Sequence, residues 1–262
     1  MFHKGTTLSR KRSNLKGKSM KKILLSLVLL SAIVMASVYN DGVRAYEKGK
    51  YSEAFQLFSK ASNSGHVGAK GNLGVMYEQG LGVDQNFTKA FNLYQEAAKQ
   101  GSDEALFNMA LMYKGGEGIE VDYGKAIKIL EFFLKKNDPM AQYNMGMLYS
   151  DGHGVKQSFK KAAYFYELGS SQNHSMSQYN LAILYSNGSL GEKDQKKVIS
   201  LYQKASDLGL PEAQLNLGVI YATGEGVPED IPKACSLWEK AILSGEASAQ
   251  ENYDLMCTTL SK

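Results

Sequence analysis

The residues whose types and spacing could do chemistry are few. Ser158-Phe159-Lys160-Lys161 reads S-x-x-K, the spacing at which one group of acyl-transfer enzymes sets a serine nucleophile beside a lysine. Ser13 to Lys16 repeats the pattern near the start of the chain, and neither S-D-N nor K-T-G accompanies it. The four histidines, His3, His66, His153 and His174, have no His partner one helical turn away, so a paired-histidine metal site has no support. Glu117, Glu120 and Asp122 crowd one segment, which reads as a solvated turn. No phosphate-cradling or dinucleotide glycine motif is present. Two cysteines are too few for a four-ligand zinc module or a dense disulfide framework. These patterns lead us to expect no catalytic residue, no metal and no cofactor.

The elements that would position any site come from a repeat. KGNLGVMYEQGLGVDQNFTKAFNLYQEAAKQG, from Lys70, aligns with QLNLGVIYATGEGVPEDIPKACSLWEKAILSG, from Gln214, at an offset of 144, four times 36. The same register holds Gly74, Ala110, Gly146, Ala182 and Gly218, then Tyr77, Tyr113, Tyr149, Tyr185 and Tyr221. Lys89, Lys125, Lys161, Lys197 and Lys233 follow, each three residues after Asn86, Asp122, Ser158, Asp194 or Asp230. Ser158 therefore stands where the other repeats place Asn or Asp, and an N-cap is the better reading of it.

Each unit reads as two antiparallel helices. In the first, helix A, small and apolar residues such as Ala69, Leu73, Met76 and Tyr77 recur at helical spacing. A G-x-G-V loop ends it, since Gly accepts the positive φ of a helix C-terminus. Helix B begins at the Asn, Asp or Ser cap and runs through residues such as Ala90, Leu93, Tyr94 and Ala97. Gly101, Gly209 and Gly245 stop three of these helices, with Asn137 and Asn173 in the same role elsewhere. One pair cannot bury its apolar faces alone, so the units must stack. The expected fold is all-α, a right-handed α-solenoid superhelix of 36-residue antiparallel helix pairs.

With A-x-x-x-L-G-x-x-Y-x-x-G-x-G-V, then K-A and a final A-A-x-x-G, nearly complete at 69 to 101 and 213 to 245, the chain resembles the Sel-one-like repeat family, relatives of the tetratricopeptide repeats. The resemblance divides the chain into a tetratricopeptide-like cap repeat at 37–65 with a short Lys48-Gly49-Lys50 turn, five repeats at 66–245, and a capping helix at 246–262. Residues 187 to 193 displace the second loop glycine, and Phe133 replaces a small residue late in helix B.

Cys235 and Cys257 lie symmetrically about the turn at Ser244-Gly245-Glu246, so antiparallel packing brings them to one level. Either a disulfide or two reduced thiols packed as small hydrophobes is compatible with that placement. The nearest secreted relatives by resemblance, the Hcp-type cysteine-rich proteins, carry recurring Cys pairs; here that register holds Ser62, Ala98, Leu134, Ser170, Ser206 and Ile242. Likeness to the Hcp type implies an alternative function, weak β-lactam hydrolysis or penicillin and peptidoglycan binding, with Ser158 as the visible nucleophile.

Of the 262 residues, 44% are hydrophobic and 21% charged, which excludes a disordered tail. The formal charge of +4 arises from residues 1–36, which hold eight basic and no acidic side chains; beyond them stand 22 basic and 26 acidic. From Met20, MKKILLSLVLLSAIVMASVYN follows the order of a secretory signal peptide: a charged n-region, an apolar run from Ile23 to Met35, and a cleavage position after Ala36. We expect a leader at 1–36 with Met20 as the true start, a periplasmic or secreted mature chain, and no stable membrane insertion after cleavage. An uncleaved anchor with a basic arm is the alternative. One Arg, Arg44, and a net negative charge in the mature chain disfavour nucleic acid.

A partner surface remains. Stacked helix pairs present a concave face lined by helix-A side chains, suited to a protein or peptide partner. Asn72, Asn108, Asn144, Asn180 and Asn216 share one helix-A register, although Asn is mildly unfavourable in mid-helix. They are expected either to bind an extended peptide as a ladder or to bond neighbouring repeats and rigidify the stack.

Overall fold

A computed structural model describes residues 36–257. The expected leader, with its start at Met20, lies outside the described residues except for Ala36, as do positions 258–262 of the C-terminal segment. The described residues form thirteen helices and no strand, and the fold is an all-α helical-repeat solenoid. None of these helices is long and apolar enough to cross a membrane.

The chain divides after Val121 into two compact units. The first holds α1 (36–47), α2 (Tyr51–Asn63), α3 (Val67–Gln79), α4 (Phe87–Lys99) and α5 (Asp103–Gly115). Its core joins Ala45 of α1 to Ala54 and Phe58 of α2 and to Leu73 and Met76 of α3. The second holds α6 (Tyr123–Leu134), α7 (Pro139–Asp151), α8 (Phe159–Ser171), α9 (Ser175–Ser186), α10 (Gln195–Asp207), α11 (Pro211–Thr223), α12 (Ile231–Leu243) and α13 (Ser248–Met256). Tyr166, Leu181, Leu184, Leu201 and Leu217 form its main core. Trp238, Ala241 and Cys257 close its C-terminal end.

The two helix types differ because their surroundings differ. α3, α5, α7, α9 and α11 are helices A, with small or apolar residues on nearly every side, the composition of a helix enclosed by neighbours. α4, α8, α10 and α12 are helices B, with one apolar stripe and a polar outer face. Every B helix from α4 onward is capped by the side chain three residues before its Lys, which accepts the Lys backbone N–H: Asn86, Asp122, Ser158, Asp194 and Asp230, at 2.9 to 3.3 Å. Hydrogen bonds to the backbone N–H of Lys125 hold the Asp122 carboxyl below its usual range.

The turns obey the same local rules. Gly80 ends α3 at φ 69°, and Gly82 follows at φ 70°, where a Cβ would lie 2.5 Å from the Tyr51 backbone carbonyl carbon. Leu190 takes that second glycine's place in the 187–193 loop and packs on the core. Asn137 and Asn173 adopt φ 58° and 61°, the left-handed conformation that Asn tolerates best among non-glycine residues.

Candidate functional site

The groups singled out for chemistry have structural employment. Ser158 Oγ accepts the Lys161 backbone N–H as the cap of α8, while Lys161 Nζ sits 4.9 Å over the Tyr149 ring. His66 and His174 cap α3 and α9 through Nδ1, which accepts from Ala69 N and Ser177 N at 3.2 Å. Burial pushes the His174 imidazole below its ordinary value, against a weaker upward pull from Asp138. His153 stacks on Tyr123 with ring centroids 4.7 Å apart. Among the described residues, no cluster of three His, Cys, Asp or Glu could hold a metal ion. His3 and the Ser13 to Lys16 match lie outside them.

The asparagine register is placed against tyrosine hydroxyls. In the first unit Asn72 Nδ2 lies 3.5 Å from Tyr39 Oη, and Asn108 bonds the Tyr94 hydroxyl, which itself donates to Glu78 at 2.5 Å. In the second, Asn180 bonds both Tyr143 and Tyr166, and Asn216 Nδ2 lies 3.4 Å from Tyr179 and from Tyr202. Burial raises the hydroxyls of Tyr94, Tyr143, Tyr166 and Tyr179, and pushes Tyr202 up to about 12. These tyrosines stay protonated at neutral pH. Asn144 is different: at 2% exposure it is buried, and its Nδ2 donates to Met140 O at 2.8 Å.

Each unit also holds an open cavity on its helix-A side. The first, of about 210 Å³, is lined by Val43, Tyr46, Phe58, Asn72, Val75 and Glu104. The second, of about 160 Å³, is lined by Met147, Ser150, Asp151, Tyr166, Asn180, Ile183 and Leu184. They occupy the same place in the repeat. Phe58, Asn72 and Val75 precede Tyr166, Asn180 and Ile183 by 108 residues, three repeats. Once the first repeat's turn, shorter by four residues, is allowed for, Val43 and Tyr46 fall on Met147 and Ser150. α1 and α3, with Glu104 of α5, line the first cavity and α7 and α9 the second; in each, the aromatic of the intervening helix and an Asn of the shared register complete the lining.

Two further recurrences were hidden in the sequence. The repeated Lys covers the repeated Tyr: Lys89 Nζ over Tyr77 at 5.1 Å, Lys197 over Tyr185 at 4.3 Å and Lys233 over Tyr221 at 4.0 Å. Lys197 and Lys233 also donate to those hydroxyls at 2.6 and 2.7 Å, and the first of these bonds raises the Lys197 ammonium. The Tyr had read as plain core residues, and nothing assigned the Lys a partner. Gln142, Gln178 and Gln214 form a second buried register, with Nε2 donating to Asn137 Oδ1, Ser170 O and Ser206 O, which ties helix A to the turn before it in the first case and to the last turn of the preceding helix B in the other two. Their 36-residue spacing was the available signal.

Cys235 and Cys257 are joined by a disulfide, with Cα atoms 5.7 Å apart, which ties α12 to the end of α13.

A family model described as Sel1 repeat matches residues 31–66, 69–102, 103–137, 139–174, 175–210 and 211–246. The first match takes in the repeat with the short Lys48-Gly49-Lys50 turn. Among solved structures, the chain is similar to a Sel1 repeat protein from Oxalobacter formigenes, at 30% identity and a TM-score of 0.72 over 82% of this chain and 87% of that one. It is also similar to c5321, a protective antigen of uropathogenic Escherichia coli strains with an SLR fold, at 25% identity and a TM-score of 0.61 over 86% of this chain and 50% of that one. No curated protein matches it.

Proposed function

The chain belongs to the Sel1-repeat family, whose folds serve as protein-interaction scaffolds, and we propose that it is an exported scaffold or adaptor of the cell envelope that grips a protein or peptide partner in its helix-A cavities. The observation that carries the reading is the recurrence of one cavity, at one register position, in both units. Random surface roughness has no reason to respect a 36-residue period. Recognition of partner side chains at equivalent positions of the repeat does. The volumes, about 160 and 210 Å³, suit single side chains; pockets for whole small ligands run to about 300–1,000 Å³.

Asn72 and Asn180 stand on the cavity walls, so a partner backbone entering there meets an amide already oriented by a tyrosine hydroxyl. Export is supported by the signal-like order of residues 20–36 and by a disulfide, a bond that persists in oxidising compartments. The test is capture of a partner from envelope extract by residues 37–262, wild type against Val75→Arg with Ile183→Arg. Loss of a specific partner supports the proposal; undiminished capture overturns it.

A further inference from the structure

We propose that the two cavities are receptors for basic side chains, so that the partner presents Lys or Arg at the contact points; the inference rests on the helix-A binding reading. Each cavity combines an apolar lining with one carboxylate. In the first, Val43, Tyr46, Phe58 and Val75 surround a channel that Glu104 borders. In the second, Met147, Tyr166, Ile183 and Leu184 do so beside Asp151. Neither lining includes a Lys, Arg or His.

The two carboxylates reach their cavities from different places in the repeat. Glu104 is in the first turn of α5, and Asp151 ends α7. Their register positions are unrelated, yet each cavity has one.

This lining matches a long basic side chain in parts. The aliphatic stem buries against the apolar wall and the aromatic base, while the cationic head meets the carboxylate at the mouth. An acidic side chain would face like charge, and a short apolar one would leave the carboxylate without a cation. The amide of Asn72 or Asn180 on the wall adds a polar contact to the head or the adjoining backbone. His153 Nδ1, on a ring stacked against Tyr123, lies 3.9 Å from the Asp151 carboxylate at an exposed position. The residues beyond the leader, with 22 basic and 26 acidic side chains, add a long-range field of the same sign.

The test uses fluorescence anisotropy with labelled peptides alternating Ala with Lys, with norleucine or with Glu, at low and at physiological salt. The proposal expects the Lys peptide to bind more tightly than the norleucine peptide, and the Glu peptide to bind least. Glu104→Gln with Asp151→Asn should weaken the Lys peptide by about tenfold, to the level of the norleucine peptide. Neutralising two exposed carboxylates elsewhere, Glu131→Gln with Glu239→Gln, should leave it unchanged. Equal binding of the Lys and norleucine peptides overturns the inference, as does an equal loss in the control pair, which would mean net charge alone. If no peptide binds, while a protein partner is captured and then lost with Val75→Arg and Ile183→Arg, the basic-side-chain inference fails and the scaffold reading stands. If that pair of substitutions leaves capture intact, the scaffold reading itself fails.

Discussion

The indole of Trp238 occupies the space that a side chain on Gly218 would need: a Cβ built on Gly218 falls 2.5 Å from Trp238 Nε1. The indole N–H donates to Leu215 O at 3.1 Å, so the ring cannot turn away without losing that bond. Gly74 and Gly146 meet Tyr94 and Tyr166 in the same way, with a Cβ at 2.4 Å from each ring. Gly218→Ala should therefore destabilise the fold by about 1–3 kcal/mol, read as a lower urea midpoint at unchanged slope. An unchanged midpoint would show that the helices separate freely at this contact.

The disulfide closes a loop of 22 residues over the last two helices. Replacing both cysteines, Cys235→Ala with Cys257→Ala, should cost about 3 kcal/mol. Hydrogen exchange should locate the effect, with faster exchange in α12 and α13 and little change in α8. Uniform acceleration along the chain would contradict the local role.

His174 makes a pH prediction. Its Nδ1 must be unprotonated to accept the Ser177 N–H, and burial holds its folded value below the ordinary 6.5. Because the folded value is depressed, this contribution is fully present above about 6.5 and is lost as pH falls through the folded value. Chemical denaturation at stepwise lower pH should show a loss of about 0.5–1 kcal/mol from this cap. His174→Asn, which caps without titrating, should flatten that segment of the profile; an unaltered profile would assign the loss to other groups.

Asn216 and Tyr202 test the asparagine register. A double-mutant cycle of Asn216→Ala and Tyr202→Phe should give a coupling of about 0.5–1.5 kcal/mol, because the amide lies 3.4 Å from a buried hydroxyl. Additive effects would mean that the amide contributes nothing to the stack. Spectrophotometric titration offers a second readout, since Tyr202 should ionise at about 12.

How far the sequence could be read depended on whether a feature is local. Caps and loop glycines are local, and Asn86, Asp122, Ser158, Asp194 and Asp230 were identifiable because an N-cap is defined by residue type and its distance from the first turn. Partners across helices were not. Asn180 meets tyrosines 37 and 14 residues earlier, whereas Asn144 has Phe107 and Leu130 at those offsets and bonds its own helix. One register therefore has two environments, and residue 144 alone does not reveal its own. The Lys and Tyr registers were visible as repeats, but their stacking depends on how a B-helix start meets the A helix before it. The cavities were least legible. Residues as plain as Val75 and Ile183 line them, and only the fold places these opposite Phe58 and Tyr166.

The central claim, that the helix-A cavities hold a partner, is tested most directly by quantitative capture from envelope extract with three forms of residues 37–262: wild type, Val75→Arg with Ile183→Arg, and Tyr164→Arg on the exposed face of α8. Circular dichroism should first confirm equal folding. The account predicts one or more specific partners retained by the wild type and by Tyr164→Arg, and reduced about tenfold or more when the cavities are filled. Partners retained equally by all three forms, or lost only with Tyr164→Arg, would contradict it.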